Sequence, residues 1–435
     1  MTSWQPEFHY PALLCRYSEI GIKGENRMFF EERLLASLQR QLASLGPLRF
    51  THDRGRIFVF PETKDSFTPA DLHTLRREIP RIAGVASLSP GFALPPALPE
   101  IEKCLQKIFP HIVQAGRDKF PGRPLTYALQ ARRSDKSFPL NCVDIERYFA
   151  ELLLPGYPDL TLDLRHAEIV IEVEVRKDIA FVSCERINGP GGLPCGSSGR
   201  VLALLSGGFD SPVACFQMMR RGCLVDFLTF HSAPFTPPAT ITKVCRLVRR
   251  LNEFQPRGRL VSINLLPLQL AIRDACQSRY RTVLYRRSML RLGAVLAEYF
   301  QDQAIVTGDN LGQVASQTLA NLSVIAQASN ILVLRPLLAY DKINIMNMAQ
   351  DIGTYDISRE NVPDSCTVFA TNNPATRAKL DNIKREEQKI PMRELLLKCL
   401  DSANLINAKN CQEYPFPELK NYGQNMQNLL MCEIW

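Results

Sequence analysis

Apolar residues follow two different rhythms along this chain. Between about residues 200 and 395 they form short, nearly continuous runs: VLALL (201–205), VDFLTF (225–230), LVSINL (260–265), AIVTG (304–308) and ILVLRPL (331–337). Runs without polar alternation belong to strands covered on both faces, as in a parallel sheet. The intervening segments place apolar residues at helical spacing, so the pattern predicts an α/β domain. Before residue 185 the runs alternate more. ALLCRYSE (12–19), GRIFVF (55–60), LTYALQARR (125–133) and AEIVIEVEVRKDIAFVSCERI (167–187) read as strands. NRMFFEERLLASLQRQLASLG (26–46) reads as an amphipathic helix closed by Gly46. These predict short α+β units. Between the two blocks, the glycines, prolines and serines of NGPGGLPCGSSG (188–199) predict a linker. That stretch lacks a GK[ST] ending and is no Walker A loop.

Composition narrows the class. A chain of 435 residues has room for two or three domains. No apolar run reaches the roughly 18–20 residues that cross a bilayer. The opening MTSWQPEFHYP has neither a basic nor an apolar signal region, so a cytoplasmic protein with no membrane partner is expected. Thirteen cysteines are scattered through apolar segments with no CxxC pair, which argues against a zinc ribbon, a thioredoxin-type motif or a simple cluster. Most are expected to be buried small hydrophobes. The net charge of +8 is concentrated. Between 240 and 291 stand Lys243, Arg246, Arg249, Arg250, Arg257, Arg259, Arg273, Arg279, Arg281, Arg286, Arg287 and Arg291, against Glu253 and Asp274. This asymmetry predicts a polyanion-binding surface.

The candidate chemistry begins at SGGFDS (206–211), the turn between the VLALL strand and the helix PVACFQMMRRG. Ligands of open α/β sheets bind at this carboxyl edge. Gly207 and Gly208 are expected to let the backbone approach a phosphate and take up positive φ. Ser206, Ser211 and the free amides of the helix start can hold an anion. Asp210 would repel a bare phosphate, so it points to Mg²⁺ or to a hydrogen-bonding role. The stretch resembles the PP-loop, SGGxDS, of ATP pyrophosphatases, which cleave ATP between its α- and β-phosphates.

The likeness is wider than this loop. RYSEIGIKGENRMFFEERL (16–34), QARRSDKSFPLNCVDIER (130–147), INGPGGLPCGSSG (187–199), TGDNLGQVASQTL (307–319), LRPLLAYDK (334–342) and VPDSCTVF (362–369) occur in one order. In that order they resemble the bacterial tRNA 4-thiouridine synthetase (ThiI) family. The resemblance implies a ferredoxin-like domain at 1–80, a THUMP RNA-binding domain at 81–187, the linker, a PP-loop ATP pyrophosphatase domain at 200–395, and a tail at 396–435 of unknown role. It implies adenylation of O4 of uridine 8 in tRNA, followed by attack of persulfide sulfur at C4. ATP and Mg²⁺ are the implied cofactors, and sulfur supply for thiamin thiazole is a further implied role. Cys366 matches the catalytic cysteine. Leu204, Leu205, Thr229 and Phe230, whose backbone groups could read the adenine edge, and Arg286, Gly308 and Gln317 are implied around the nucleotide, beside Ser206, Gly207, Gly208 and Ser211. Arg286 stands where other members carry Lys, and Asp309 where many carry Glu. Arg132, Arg133, Lys136 and Arg287 are the candidate RNA contacts, with Arg16 and Lys23 as helpers. No resident metal site is expected.

Some members carry a C-terminal rhodanese domain of about 100 residues. The residues after 395 are too few for one. Sulfur is therefore expected from a separate cysteine desulfurase, with a sulfur-carrier protein as a further candidate partner. A homodimer is also implied. Cys399 and Cys411 are candidates for the thiol that regenerates Cys366, and His231 is expected to be structural. Two other readings remain open: a different PP-loop enzyme that adenylates tRNA, and a non-catalytic RNA-binding protein.

Overall fold

The structure, a computed structural model, describes residues 6–53, 55–363, 365, 368–369 and 371–425. These fall into two compact units that divide between Pro194 and Cys195. Among the described residues no helix is long and apolar enough to cross a membrane.

The first unit is built on one sheet. Its elements are β1 (Ala12–Arg16), α1 (Arg27–Gln41), β2 (Leu48–Asp53), β3 (Arg56–Pro61), α2 (Pro69–Glu78), β4 (Ser87–Leu94), α3 (Leu98–Lys119), β5 (Leu125–Arg133), α4 (Cys142–Leu153), β6 (Leu160–Leu162), β7 (Ile169–Val175), β8 (Ala180–Ser183) and β9 (Ile187–Asn188). The strand order is β2-β3-β1-β4-β8-β7-β5-β6, with β9 also on β4. β4 thus pairs with β1 on one side and β8 on the other, joining the ferredoxin-like half to the THUMP half. Each half keeps its own core. Leu34, Leu38, Leu72 and Leu75 of α1 and α2 close one. Ile101, Leu105, Ile145 and Phe149 of α3 and α4 close the other.

Two cations expected to face RNA are used inside this unit. Arg16 is 5% exposed and donates to Ser89 Oγ at 2.7 Å and Glu172 at 2.8 Å. Burial pushes its guanidinium down to about 10. It lies on β1, in the sheet interior, and cannot reach a phosphate. Arg133 is half-buried and donates to the Phe138 and Leu140 carbonyls at 2.9 and 3.0 Å, closing its own loop. Arg132 and Lys136 are exposed. The predicted linker is tied down: the Gly189 and Gly191 amides donate to Ala86 and Val85, and those of Gly196 and Ser198 to Gly222.

The second unit contains the parallel sheet. It comprises β10 (Arg200–Leu204), α5 (Asp210–Arg220), β11 (Leu224–His231), α6 (Ala239–Leu251), β12 (Leu260–Asn264), α7 (Leu266–Ala275), α8 (Arg281–Phe300), β13 (Ala304–Val306), α9 (Leu319–Ala326), β14 (Leu332–Leu334), α10 (Lys342–Asp351), α11 (Tyr355–Ser358), α12 (Leu380–Glu387), α13 (Met392–Asp401), β15 (Asn404–Asn407), β16 (Gln412–Pro415) and α14 (Pro417–Asn425). The order is β14-β13-β10-β11-β12-β15-β16. The first five strands are parallel, and β15 and β16 add an antiparallel edge. Residues 396–425, expected as a tail, therefore complete this sheet and its core. Leu396, Cys399, Leu400 and Leu419 are fully buried against α8 and its neighbours.

The period of two in each strand sorts side chains onto two cores. Leu202, Leu228 and Phe230 pack with α8, whereas Val201, Ala203 and Phe227 pack with α5 and α6. From β10 the chain moves to β11 and β12 on one side, then returns to β13 on the other. This reversal opens a crevice beyond the carboxyl ends of β10 and β13.

At the opposite strand ends lies a buried acid pair. Asp226 accepts from the Arg259 amide at 2.7 Å, from its Nε at 3.0 Å and from Arg200 at 2.7 Å. Asp302 is 5% exposed, and among the described residues its carboxyl oxygens have no hydrogen-bond donor. Burial first, and the charge of Asp226 second, push Asp302 up to about 7. The unfolded chain releases this proton near the ordinary carboxylate value, whereas the native state keeps it to about 7. Native stability therefore falls as pH rises through that interval. Asp302→Asn should raise the melting temperature, and by more at pH 8 than at pH 5. An equal or larger gain at pH 5 would contradict this assignment.

Candidate active site

The loop after β10 is closed by its own serines. The Ser206 amide donates to Ser211 Oγ at 2.9 Å, and Ser211 Oγ donates back to the Ser206 carbonyl at 3.2 Å. The Gly208 amide donates to Ser206 Oγ at 3.3 Å. Neither Gly207 nor Gly208 has positive φ, contrary to the expectation from sequence. At Gly207 the requirement is space. A Cβ there would lie 3.2–3.3 Å from the buried side chain of Lys243. That amine donates to the Ser358 and Glu360 carbonyls at 2.9 and 2.8 Å. Ser358 Oγ in turn donates to the Gly208 carbonyl at 3.2 Å. The loop is thereby fixed from below, and the positive end of α5 faces the crevice.

Gly308 sets the other wall. A Cβ on it would lie 2.7 Å from the Ser211 nitrogen and 2.9 Å from the Asp210 carbonyl carbon. Only glycine lets the β13 loop pass this close to the first turn of α5.

These approaches enclose a cavity of about 270 Å³. Leu204, Leu205, Ser206, Asp210, Ser211, Phe230, Arg286, Gly308 and Gln317, all singled out from sequence, line it. Gly207 and Gly208 line an adjacent recess of about 220 Å³, with Lys243 and Pro363. Thr229 does not line the cavity. It is 1% exposed, and the strand period turns it away from the face that carries Phe230. Arg287 is likewise withdrawn from any RNA contact. It is 2% exposed and pairs with Glu387, which also holds Arg291 at 2.8 Å. Helical spacing places it one residue round from the cavity-facing Arg286.

A charge cluster floors the cavity. Asp309 pairs with Arg286 and accepts from Arg335 Nε at 3.2 Å, Thr307 Oγ1 at 2.9 Å and Gln317 Nε2 at 3.4 Å. Burial opposes the charge of Asp309, but the Arg286 guanidinium holds its carboxyl below the usual range. Two buried polar atoms here have no partner among the described residues: Arg335 Nη2 and Gln317 Oε1. A donor and an acceptor left open in one cavity suit a ligand with both kinds of group, such as a purine nucleotide. Arg335 was missed as a site residue, although it lies in the LRPLLAYDK motif. Thr282, Met289 and Leu290, missed as well, line the cavity from α8 and the turn before it in ordinary helical periodicity.

At the mouth, Asp210 pairs with Lys342 at 2.7 Å and accepts from Gln313 at 3.1 Å. No group of three or more potential metal ligands occurs among the described residues. Cys366 lies outside the described residues. Its neighbour Ser365 is buried, 2.6 Å from Ser232 Oγ, and its carbonyl accepts from Gln269 at 2.8 Å. Cys399 is fully buried in α13, and burial pushes its thiol up to about 12, so it is no regenerating nucleophile. Cys411 is half-buried at the β15–β16 turn. His231 accepts from the Ala233 amide, in a local structural role.

Known proteins share this arrangement. The pattern that defines the thiamine biosynthesis protein (ThiI) family matches residues 196–392. The ThiI ferredoxin-like domain matches 12–89 and the THUMP domain 97–185. A probable tRNA sulfurtransferase of Moorella thermoacetica is 38% identical over 92% of this chain and 98% of its own length. That of Coxiella burnetii is 34% identical over 92% and 99%. Among solved structures, a 4-thiouridine synthetase in complex with RNA and bound ATP superposes with a TM-score of 0.76. It is 34% identical and covers 92% of this chain and all of that one.

Proposed function

This chain belongs to the ThiI family of tRNA sulfurtransferases, and from that premise we propose that it makes 4-thiouridine in tRNA by ATP-dependent sulfur transfer. The observation that carries the reading is the cavity. It joins a phosphate-binding loop, an arginine pair and two unpartnered polar atoms at the switch point of a parallel sheet.

ATP enters with its base over Phe230 and Met289 and its phosphates towards Ser206, Ser211 and the α5 amides. Arg335 Nη2 and Gln317 Oε1 gain partners from the nucleotide. Arg286 is held in position by Asp309, so its charge is directed before the ligand arrives. Asp210 is the carboxylate of the loop, and it suits an Mg²⁺ that arrives with the triphosphate.

A uracil carbonyl oxygen is a poor leaving group. Attack of O4 on the α-phosphorus expels pyrophosphate and converts that oxygen into part of AMP. The terminal sulfur of a Cys366 persulfide then attacks C4, and AMP departs. A second thiol cleaves the resulting disulfide, which frees the thiolated base. A cysteine desulfurase is the proposed donor of the persulfide sulfur.

The reacting uracil must leave the RNA stack to reach this edge. The exposed ring of Phe235 is the proposed stacking partner for it. Its ring is 54% exposed, on the loop that runs on from cavity-lining Phe230. It packs 5.3 Å from the ring of Phe369, over which Arg273 sits. Base–aromatic stacking is worth about 1–3 kcal/mol, so Phe235→Ala should lower kcat/KM for tRNA by roughly five- to a hundredfold. Phe235→Tyr should stay near wild type. Equal kcat/KM for the alanine variant would remove Phe235 from the account.

The function is tested by mass spectrometry of tRNA nucleosides from cells lacking this protein. Loss of 4-thiouridine, restored by the wild-type gene, is expected. Unchanged 4-thiouridine refutes the reading.

A further inference from the structure

The nucleotide site uses little of the positive charge between 240 and 291. Nine of the twelve cations there have internal partners. Lys243 holds carbonyls under the phosphate loop, and Arg281 holds the Arg273 carbonyl. Arg246, Arg250, Arg259, Arg273, Arg286, Arg287 and Arg291 are paired with carboxylates. Most of the expected polyanion surface is therefore engaged in intramolecular hydrogen bonds and ion pairs, some of them at the surface. Arg249, Arg257 and Arg279 remain, all exposed.

Two of these three open onto one cleft. It has a volume of about 720 Å³ and lies between the end of α6, the approach to β12 and the β15–β16 hairpin. Arg249 comes from the last turn of α6 and Arg257 from the loop before β12. Lys409 joins them from the hairpin turn and is also exposed. No aspartate or glutamate lines the cleft. Among the described residues none of the three has a carboxylate partner. Arg249 also complements the negative end of α6, which is reason enough for one cation there. It does not explain Arg257 or Lys409, which converge on the same space from two other segments.

We propose that this cleft is a second seat for the sugar–phosphate backbone of the tRNA substrate, remote from the reacting nucleotide. The proposal rests on the reading that the substrate is tRNA. Three separate cations facing one space without a counter-charge suit a chain of phosphates. A protein partner would instead need a central apolar anchor. Here the exposed apolar groups, Leu405 and Tyr414, belong to the hairpin and are each less than half exposed. The cleft lies at the amino ends of strands whose carboxyl ends face the nucleotide. Five residues of strand separate the two by roughly 17 Å. Contacts so placed would anchor the RNA without reading its sequence.

The test is tRNA binding by the full chain carrying Arg249→Ser, Arg257→Ser and Lys409→Ser together, measured across roughly 50–200 mM salt. The wild-type plot of log affinity against log salt should lose roughly 2–3 units of slope in the variant. Binding should be weaker at low salt and converge with wild type at high salt. ATP binding and melting temperature should stay at wild-type values. A slope and affinity equal to wild type would overturn the proposal. So would unchanged tRNA binding with slowed sulfur delivery from a donor protein, which would mark the cleft as a protein-docking site. If the slope falls but the wild-type enzyme makes no 4-thiouridine, the cleft stands and the assigned reaction fails.

Discussion

Gly308→Ala is expected to lower kcat/KM for ATP by roughly a hundredfold, the scale of an ångström-sized misplacement of reacting groups. The added methyl would sit 2.7–2.9 Å from backbone atoms of Asp210 and Ser211. Backbone cannot rotate aside as a long side chain can, so either the β13 loop or the first turn of α5 must move. Both hold phosphate-facing groups. Ser211 Oγ ties the Ser206 amide and carbonyl together, so a shift of Ser211 opens the loop as well. Gly308 lies at the nucleotide cavity and lines neither the basic cleft nor the THUMP domain, so tRNA affinity should be unchanged. Steady-state kinetics with ATP varied, alongside tRNA binding, separates these effects. Wild-type kcat/KM in the alanine variant would show that the close approach is unimportant.

Cys366→Ala should abolish 4-thiouridine formation, with a loss of at least about a thousandfold, because the variant removes the proposed nucleophile. ATP and tRNA binding should remain, since neither depends on a thiol. In the proposed order adenylation comes before sulfur attack, so the variant should still release pyrophosphate when tRNA is added. The choice of Cys366 rests on its place in the VPDSCTVF motif. Several of the described thiols are poor substitutes because they are buried. Burial pushes Cys15 and Cys184 up to about 12 and Cys276 to about 11, so they stay protonated at neutral pH. A Cys366→Ala protein that still thiolates tRNA would move the sulfur chemistry elsewhere.

The parallel sheet was legible because buried strands announce themselves as unbroken apolar runs. The central strands β10, β11 and β12 begin and end within one residue of the runs that predicted them. The hairpin β15–β16 was not legible. β15, NLIN, is only four residues long with Ile406 alone buried, and β16, QEYP, is an exposed edge strand, so no apolar run marks either. The phosphate loop could be read from two glycines and two serines, but the reason for the glycines could not. Proximity of Lys243 to Gly207 and of Gly308 to Ser211 is a tertiary fact. Arg287 failed for a related reason. It is one residue from the cavity-lining Arg286, and sequence alone did not fix which neighbour faced inward. The charge excess was visible, but its pairing was not. Glu387, which neutralises two of the twelve cations, lies about a hundred residues downstream.

If the cavity beyond β10 and β13 holds the ATP that activates a tRNA uridine for sulfur attack, thiolation and ATP cleavage are coupled one to one. The most direct measurement combines purified protein, unmodified tRNA, ATP and a persulfide donor, with nucleosides and nucleotides quantified together. 4-Thiouridine and AMP should form in equal amounts, neither without tRNA, and both should fall together in Gly308→Ala. Thiolation that proceeds without ATP, or with ADP as the product, would contradict that coupling.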